Sequence, residues 1–178
     1  MGASEREEFL RAAWRALVCA RQDGRRFVFV EACSTNTSLS PIYGWSGRGQ
    51  RLYFEAPRNW GANVTLLSSM SLEGMGPSLA VEGPTTKAVL EAYVEHVLAP
   101  ALKPGQIVVM DNLSSHKGSR VREIIEGRGC KLLYLPPYSP ELNPIEEAFA
   151  KLKALFCARL RRAPEKPCWK QWVERLML

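Results

Sequence analysis

The 178-residue chain lacks the features that mark several common protein classes. Its five cysteines stand singly, at positions 19, 33, 130, 157 and 168, and the absence of a CxxC pair argues against a zinc knuckle. An odd number of cysteines without a secretion signal is typical of free thiols in a reducing cytoplasm, where most act as small core hydrophobes. There is no internal repeat, and no apolar run approaches the length of a bilayer span. We therefore expect a cytoplasmic globular protein.

The bulk composition is that of an ordinary globular domain with an excess of positive charge. Hydrophobic residues make up 46% of the chain and charged residues 24%, while the net charge is +6 and the pI is about 9.2. The positive charge is concentrated after residue 146, where eight Lys or Arg side chains accompany three acids. A basic region of this kind favours a polyanionic partner, although most basic helical faces are simply solvated.

The hydrophobic pattern predicts a mixed α/β domain. We divide the chain into an N-terminal helix (1–25), a central domain (26–160) and an atypical basic tail (161–178). Leu10, Ala13, Trp14, Leu17 and Val18 predict one buried face for the first helix, over residues 5–22. Strands are predicted at 27–30, 50–55, 63–71, 78–81, 107–110 and 131–135, with a turn at 73–77. Further helices are predicted at 83–102 and 115–126, and from 143 onward. Trp45 and Trp60 are expected in the core.

Two carboxylates stand where an α/β enzyme would place a site. Asp111 directly follows the apolar run 107–110, and Glu146 follows it after a gap of 34 residues, 112–145. Each has a structural alternative. Asp111 could cap the next helix, although Asn112, Ser114 and Ser115 already offer capping groups. Glu146 could occupy the N3 position of a capping box whose N-cap is Asn143.

The sequence around these acids resembles the DDE transposases, specifically the bacterial insertion-sequence branch of the mariner-like superfamily. The resemblance rests on Val109-Met-Asp-Asn-Leu-Ser-Ser-His-Lys117 and Leu135-Pro-Pro-Tyr-Ser-Pro-Glu-Leu-Asn-Pro-Ile-Glu146, with a further block over residues 35–49. It implies a ribonuclease H-like mixed sheet flanked by helices. It also implies two Mg²⁺ or Mn²⁺ ions held by Glu31, Asp111 and Glu146, which cleave DNA at transposon ends and join them to target DNA.

The first of these three carboxylates departs from the family pattern. The resemblance implies an aspartate followed by an acid at the end of the first strand, whereas this chain has Glu31 and Ala32. Because preorganised catalysis tolerates little displacement, we expect a folded domain with weak activity that Glu31→Asp would raise. Two alternatives stay open: a remnant that binds nucleic acid without cutting, and another ribonuclease H-like nuclease.

Basic side chains near the motifs are candidate phosphate contacts, although for each alone a solvated charge is the better interpretation: Arg48, Lys117, Arg120, Lys151 and Lys153. His116 is expected to orient a ligand or a phosphate, with a structural histidine as an equal alternative. The expected partner is DNA, both transposon ends and target. The resemblance implies a helix-turn-helix region, and only about 25 residues precede the first predicted strand. We therefore expect that recognition of the ends is missing, or lies on another polypeptide or in an upstream reading frame. We also expect a homodimer when active, and a place at the bacterial nucleoid rather than a membrane.

Overall fold

The computed structural model describes residues 8–20, 22–36, 45–53, 63–112 and 118–160, and its centre is a five-stranded mixed sheet. The strand order is β3-β2-β1-β4-β5, with antiparallel pairing between β1, β2 and β3 and parallel pairing between β1, β4 and β5. This confirms the predicted α/β class. The strands are β1 (Phe27–Asn36), β2 (Asn63–Ser71), β3 (Gly74–Glu82), β4 (Ile107–Met110) and β5 (Lys131–Tyr134).

Helices cover both faces of this sheet. They are α1 (Glu8–Trp14), which continues as a π-helical turn over Arg15–Cys19; α2 (Lys87–Tyr93), which continues through Val94–Leu98 and Ala99–Ala101; α3 (Ser119–Gly127); and α4 (Pro144–Leu160). The Thr86 hydroxyl starts α2 by accepting the Val89 N–H at 3.3 Å, as an N-cap does. Across the described ranges, every helix is too short or too polar to serve as a membrane span.

The side chains of β1 alternate between two cores. Val28 and Val30 join the larger cluster beneath α2 and α3, while Phe27 and Phe29 pack on the opposite face with α1 and α4. All four residues of β4 are buried, as expected for a parallel strand covered on both sides. The two faces are therefore distinct, and residues 31 and 33 of β1 belong to the face that α4 covers.

The predicted inward face of the first helix is partly wrong. Trp14 and Val18 pack against the sheet, but Leu10 and Leu17 are 40% and 55% exposed. Arg11 is buried instead, because it forms ion pairs with two glutamates. The π-helical turn that begins at residue 15 also breaks the 3.6-residue periodicity on which the prediction relied.

The predictions between β1 and β3 also need correction. The described part of the proposed strand 50–55, Gln50–Tyr53, is not extended in a sheet, and residues 54 and 55 lie outside the described ranges. Trp45 is fully exposed rather than in the core, while Trp60 lies outside the described residues. The turn predicted at 73–77 is shorter, because Gly74 adopts a φ of 114° and already pairs with Ser71.

Candidate active site

Strand register brings the first two carboxylates side by side. The parallel pairing of β1 and β4 ends with Val30 opposite Met110, so Glu31 and Asp111 are the next residues along each strand. Val30 and Met110 both face the cluster under α2 and α3, so alternation directs the following side chains to the face that α4 covers. Neighbouring strands lie about 4.8 Å apart, which makes these two acids lateral neighbours.

The third carboxylate reaches the same place from α4. A 3₁₀ turn at Pro140–Leu142 leads into this helix, and Glu146 lies in its first turn. Glu31, Asp111 and Glu146 line one pocket of about 350 Å³. The rest of its wall comes from Asn112, Asn143 and the segment Leu135–Pro140. Three acids from three separate elements therefore surround a single cavity.

The structure argues against the capping-box explanation for Glu146. In such a box, the Asn143 side chain would accept the Glu146 N–H and the Glu146 carboxylate would accept the Asn143 N–H. Instead, the Asn143 N–H donates to the Pro140 carbonyl at 2.9 Å. The Asn143 Oδ1 accepts no hydrogen bond within the described part of the chain. A capping box therefore does not explain the glutamate at position 146.

Glu31 is the most enclosed of the three acids and is held at both oxygens. It is 8% exposed. Its Oε1 accepts the backbone N–H of Ala32 at 2.9 Å, and its Oε2 accepts the Asn143 Nδ2–H at 2.9 Å. A buried carboxylate is costly unless it is hydrogen-bonded, so these donors stabilise its charged form. These two hydrogen bonds therefore fix the position of the carboxylate at the end of the longer glutamate side chain.

The pocket wall contains a strained residue. Tyr138 has a φ of 52° and is the one described residue other than glycine with a positive φ. Its side chain is 58% exposed at the pocket, so packing in a core does not explain the conformation. An aromatic residue in the left-handed region costs of order 1 kcal/mol or more, and such strain is concentrated at functional sites.

A thiol and an amine lie beside the acids. Cys33 is two residues after Glu31 on the same face of β1, and Lys153 of α4 acts electrostatically on its thiol. Burial raises the pKa of the Cys33 thiol, while Lys153 acts in the opposite direction and Glu146 and Glu31 reinforce the rise. These electrostatic effects indicate that Lys153, Glu146 and Glu31 all lie near the Cys33 thiol.

The other candidate DNA contacts are placed less tightly. Arg48 and Lys151 are exposed. Arg120 is also exposed and donates to Glu95 at 2.7 Å, an ion pair that raises the pKa of the arginine. His116 and Lys117 lie outside the described residues. Of the described candidates, the structure therefore relates Lys153 to the pocket, whereas Arg48, Lys151 and Arg120 carry no contact with its acids.

Sequence reasoning missed two groups around the pocket. Asn143 was interpreted as a helix cap, yet its side chain reaches a carboxylate 112 positions away. The buried Arg11 pairs with Glu141, which belongs to the 3₁₀ turn immediately before Asn143. Neither contact has a signal in the local sequence.

The donor chemistry of the pocket fits a hard divalent cation, since carboxylate oxygens are the ligands that Mg²⁺ and Mn²⁺ prefer. Glu31, Asp111 and Glu146 are the residues that could hold such an ion. In the conformation of the described residues, no three acidic, histidine or cysteine side chains are close enough to do so together. Metal binding would therefore require side-chain movement within the pocket.

The match to a known family covers most of the chain. The sequence pattern of the DDE superfamily endonucleases matches residues 17–166. The chain belongs to this family. No curated protein sequence matches it significantly. The family match spans all three pocket acids and both elements on either side of the pocket, β1 and α4.

Solved structures share the fold of this family member at low identity. The Mos1 mariner paired-end complex with Mn aligns with a TM-score of 0.75 and 18% identity, over 96% of this chain and 53% of that one. A Mos1 paired-end complex with the left transposon end aligns at 0.69 and 19%, over 94% and 51%. A simian T-cell lymphotropic virus intasome aligns at 0.55 and 13%, over 83% and 46%. The chain spans about half the length of these chains, and the shared sheet confirms the ribonuclease H-like fold.

Proposed function

We propose that this chain is the catalytic domain of a transposase that cleaves DNA strands and joins them to target DNA with divalent metal ions. One observation carries the proposal: Glu31, Asp111 and Glu146 come from three separate elements and line a single pocket. Family membership supports the same reaction class. The solved Mos1 structures include complexes with Mn and with Mg and complexes with transposon ends, which makes both the metals and the substrate reasonable for this chain.

The chemistry needs oxygen ligands at one place and little else from the protein. Glu31, Asp111 and Glu146 would hold two Mg²⁺ or Mn²⁺ ions, which would lower the pKa of the attacking water or 3′-hydroxyl and stabilise the leaving oxygen. The attacking oxygen would lose its proton and form a bond to phosphorus while the bond to the leaving 3′-oxygen breaks, and that 3′-oxygen would take up a proton. Bound cations would also offset the mutual repulsion of the three acids.

DNA would approach the acids beside Lys153. Lys153 acts electrostatically on the Cys33 thiol, as Glu146 and Glu31 do, which supports a role in which its ammonium group donates hydrogen bonds to a DNA phosphate. We propose that recognition of a specific end sequence requires an additional helix-turn-helix region, and that the active form is a homodimer.

The test is nicking of supercoiled plasmid DNA in the presence of Mg²⁺ or Mn²⁺, with a DNA-binding region supplied in trans. Asp111→Asn preserves the shape of the side chain and removes its charge, so nicking should fall by about 100-fold or more if this carboxylate is a metal ligand. Glu126→Gln is a matched control, because this exposed acid of α3 pairs only with Arg122 in the described residues. It should leave nicking unchanged.

Two results would contradict the proposal. Equal nicking by the wild type and Asp111→Asn would remove this acid from the reaction. Absence of nicking by any form, together with DNA binding that persists without metal, would instead favour a remnant that holds DNA without cutting it. Metal-dependent nicking that the Asp111 substitution abolishes and the Glu126 substitution leaves intact would support an active endonuclease.

A further inference from the structure

Asn143 connects the first and third carboxylates of the pocket, a role that neither the family match nor the fold assigns to it. Its side-chain Nδ2–H donates to Glu31 Oε2 at 2.9 Å, and its backbone carbonyl accepts the Glu146 N–H at 3.1 Å. We propose that Asn143 is a positioning residue that holds the Glu31 carboxylate for metal binding. This inference rests on the proposed function, because it concerns the same three-acid site.

The orientation of the amide follows from its partner. The Nδ2 end of Asn143 donates to Glu31 Oε2, and the Oδ1 end has no hydrogen-bond partner among the described residues. Both residues are enclosed, with Asn143 3% and Glu31 8% exposed. Water therefore competes little for this bond, and a hydrogen bond to a charged group in such surroundings is among the stronger ones.

The backbone of Asn143 is fixed as firmly as its side chain. Its N–H donates to the Pro140 carbonyl at 2.9 Å, and Pro144 follows directly as the first residue of α4. The proline ring restricts the conformation of the residue before it, so Asn143 has little freedom at either end. A side chain on this rigid junction can hold Glu31 without moving relative to Glu146.

This placement has a specific benefit for a glutamate. Glu31 has one more rotatable bond than an aspartate would have, so its oxygens could occupy several positions in the pocket. The Ala32 N–H fixes one oxygen and the Asn143 amide fixes the other. A carboxylate offers about four acceptor sites, more than these two hydrogen bonds use. Hydrogen-bonded carboxylate ligands are the usual arrangement around protein metal sites.

The experiment measures Mn²⁺ binding to the full chain by electron paramagnetic resonance, without DNA and without turnover. Asn143→Ala should weaken Mn²⁺ binding by about 10- to 100-fold, the usual effect of removing a partner of a metal ligand. The same substitution in a Glu31→Ala background should change binding by less than about 2-fold, because Asn143 acts through Glu31. Tyr93→Phe is the control for lost stability, since it removes a buried hydrogen bond to the Pro77 carbonyl on the other face of the sheet.

The outcomes separate this inference from the proposed function. If Asn143→Ala weakens binding equally with and without Glu31, or does not weaken it at all, Asn143 does not position Glu31 and the inference is overturned. If Asp111→Ala also leaves Mn²⁺ binding intact, the metal site itself is wrong and the proposed function fails with it. Three results together would support both the inference and the proposed function. Asp111→Ala weakens Mn²⁺ binding, Asn143→Ala weakens it only when Glu31 is present, and Tyr93→Phe leaves it unchanged.

Discussion

Arg11 links the first helix to the turn that leads into the pocket, and its substitution gives the sharpest test of how this site is supported. The guanidinium is 2% exposed and forms ion pairs with Glu8 and with Glu141 of the 3₁₀ turn Pro140–Leu142. Asn143 and Glu146 follow that turn within a few residues. The contact therefore joins α1 to the segment that positions Asn143 and Glu146.

The expected loss of stability lies between two limits. Breaking a fully buried ion pair costs about 3–5 kcal/mol, whereas an exposed pair contributes about 0–1 kcal/mol. Only the arginine is fully buried here, since Glu141 is 38% and Glu8 69% exposed. Water can therefore rehydrate both acids once Arg11→Ala removes their partner. The packing of the arginine stem is lost as well, so we expect a loss of about 1–3 kcal/mol.

Thermal and urea denaturation followed by circular dichroism measure this loss, and about 1–3 kcal/mol corresponds to a fall in Tm of roughly 2–10 °C for a chain of this size. Arg15→Ala is the matched control, because Arg15 is 50% exposed and lies 3.8 Å from the same Glu141. It should cost less than about 0.5 kcal/mol. Equal losses for the two substitutions would refute the argument from burial.

Two further predictions concern charge. Binding to duplex DNA should weaken steeply as salt rises and should show little sequence preference. The slope of log affinity against log salt concentration should be about −0.9 per phosphate contact. Filter binding at several salt concentrations measures this slope, and salt-independent binding would contradict a phosphate interface. Because burial raises the pKa of the Cys33 thiol, its alkylation, followed by mass spectrometry, should accelerate only at higher pH than for an exposed cysteine. Lys153→Met should move that profile further upward, and an unchanged profile would contradict the contact between the two side chains.

Much of the fold could be predicted from sequence because its signals are local. The apolar runs of β4 and β5, the Gly83-Pro84 start before α2 and the Asn143-Pro144 start of α4 each carry a standard pattern. The failures have physical causes that local patterns do not carry. Arg11 is buried by acids from elsewhere, and Gly74 shortens a turn through a φ that its neighbours do not indicate.

The pocket required more than local pattern. The positions of Glu31, Asp111 and Glu146 followed from motifs in the sequence, but their lateral arrangement depends on the β1–β4 register. The bond between Asn143 and Glu31 joins residues 112 positions apart, and no periodicity relates them. Contacts of this kind depend on tertiary packing, which is why a side chain interpreted as a helix cap has another partner in the structure.

These contacts change what is expected of Glu31→Asp. From sequence, the shorter side chain common to the family was expected to raise activity. In the structure, both oxygens of Glu31 are held at 2.9 Å, and removing one methylene withdraws them by about 1.5 Å. Neither hydrogen bond survives at that distance unless the backbone moves.

We therefore expect Glu31→Asp to lower the free energy of unfolding by about 1–3 kcal/mol and to lower nicking activity rather than raise it. Urea denaturation and the plasmid assay measure the two effects on the same preparation. A glutamate adapted to its partner would give both losses, whereas a glutamate left by damage to the site would give a gain in nicking with unchanged stability. Such a gain would show that Asn143 does not hold Glu31 in its working position.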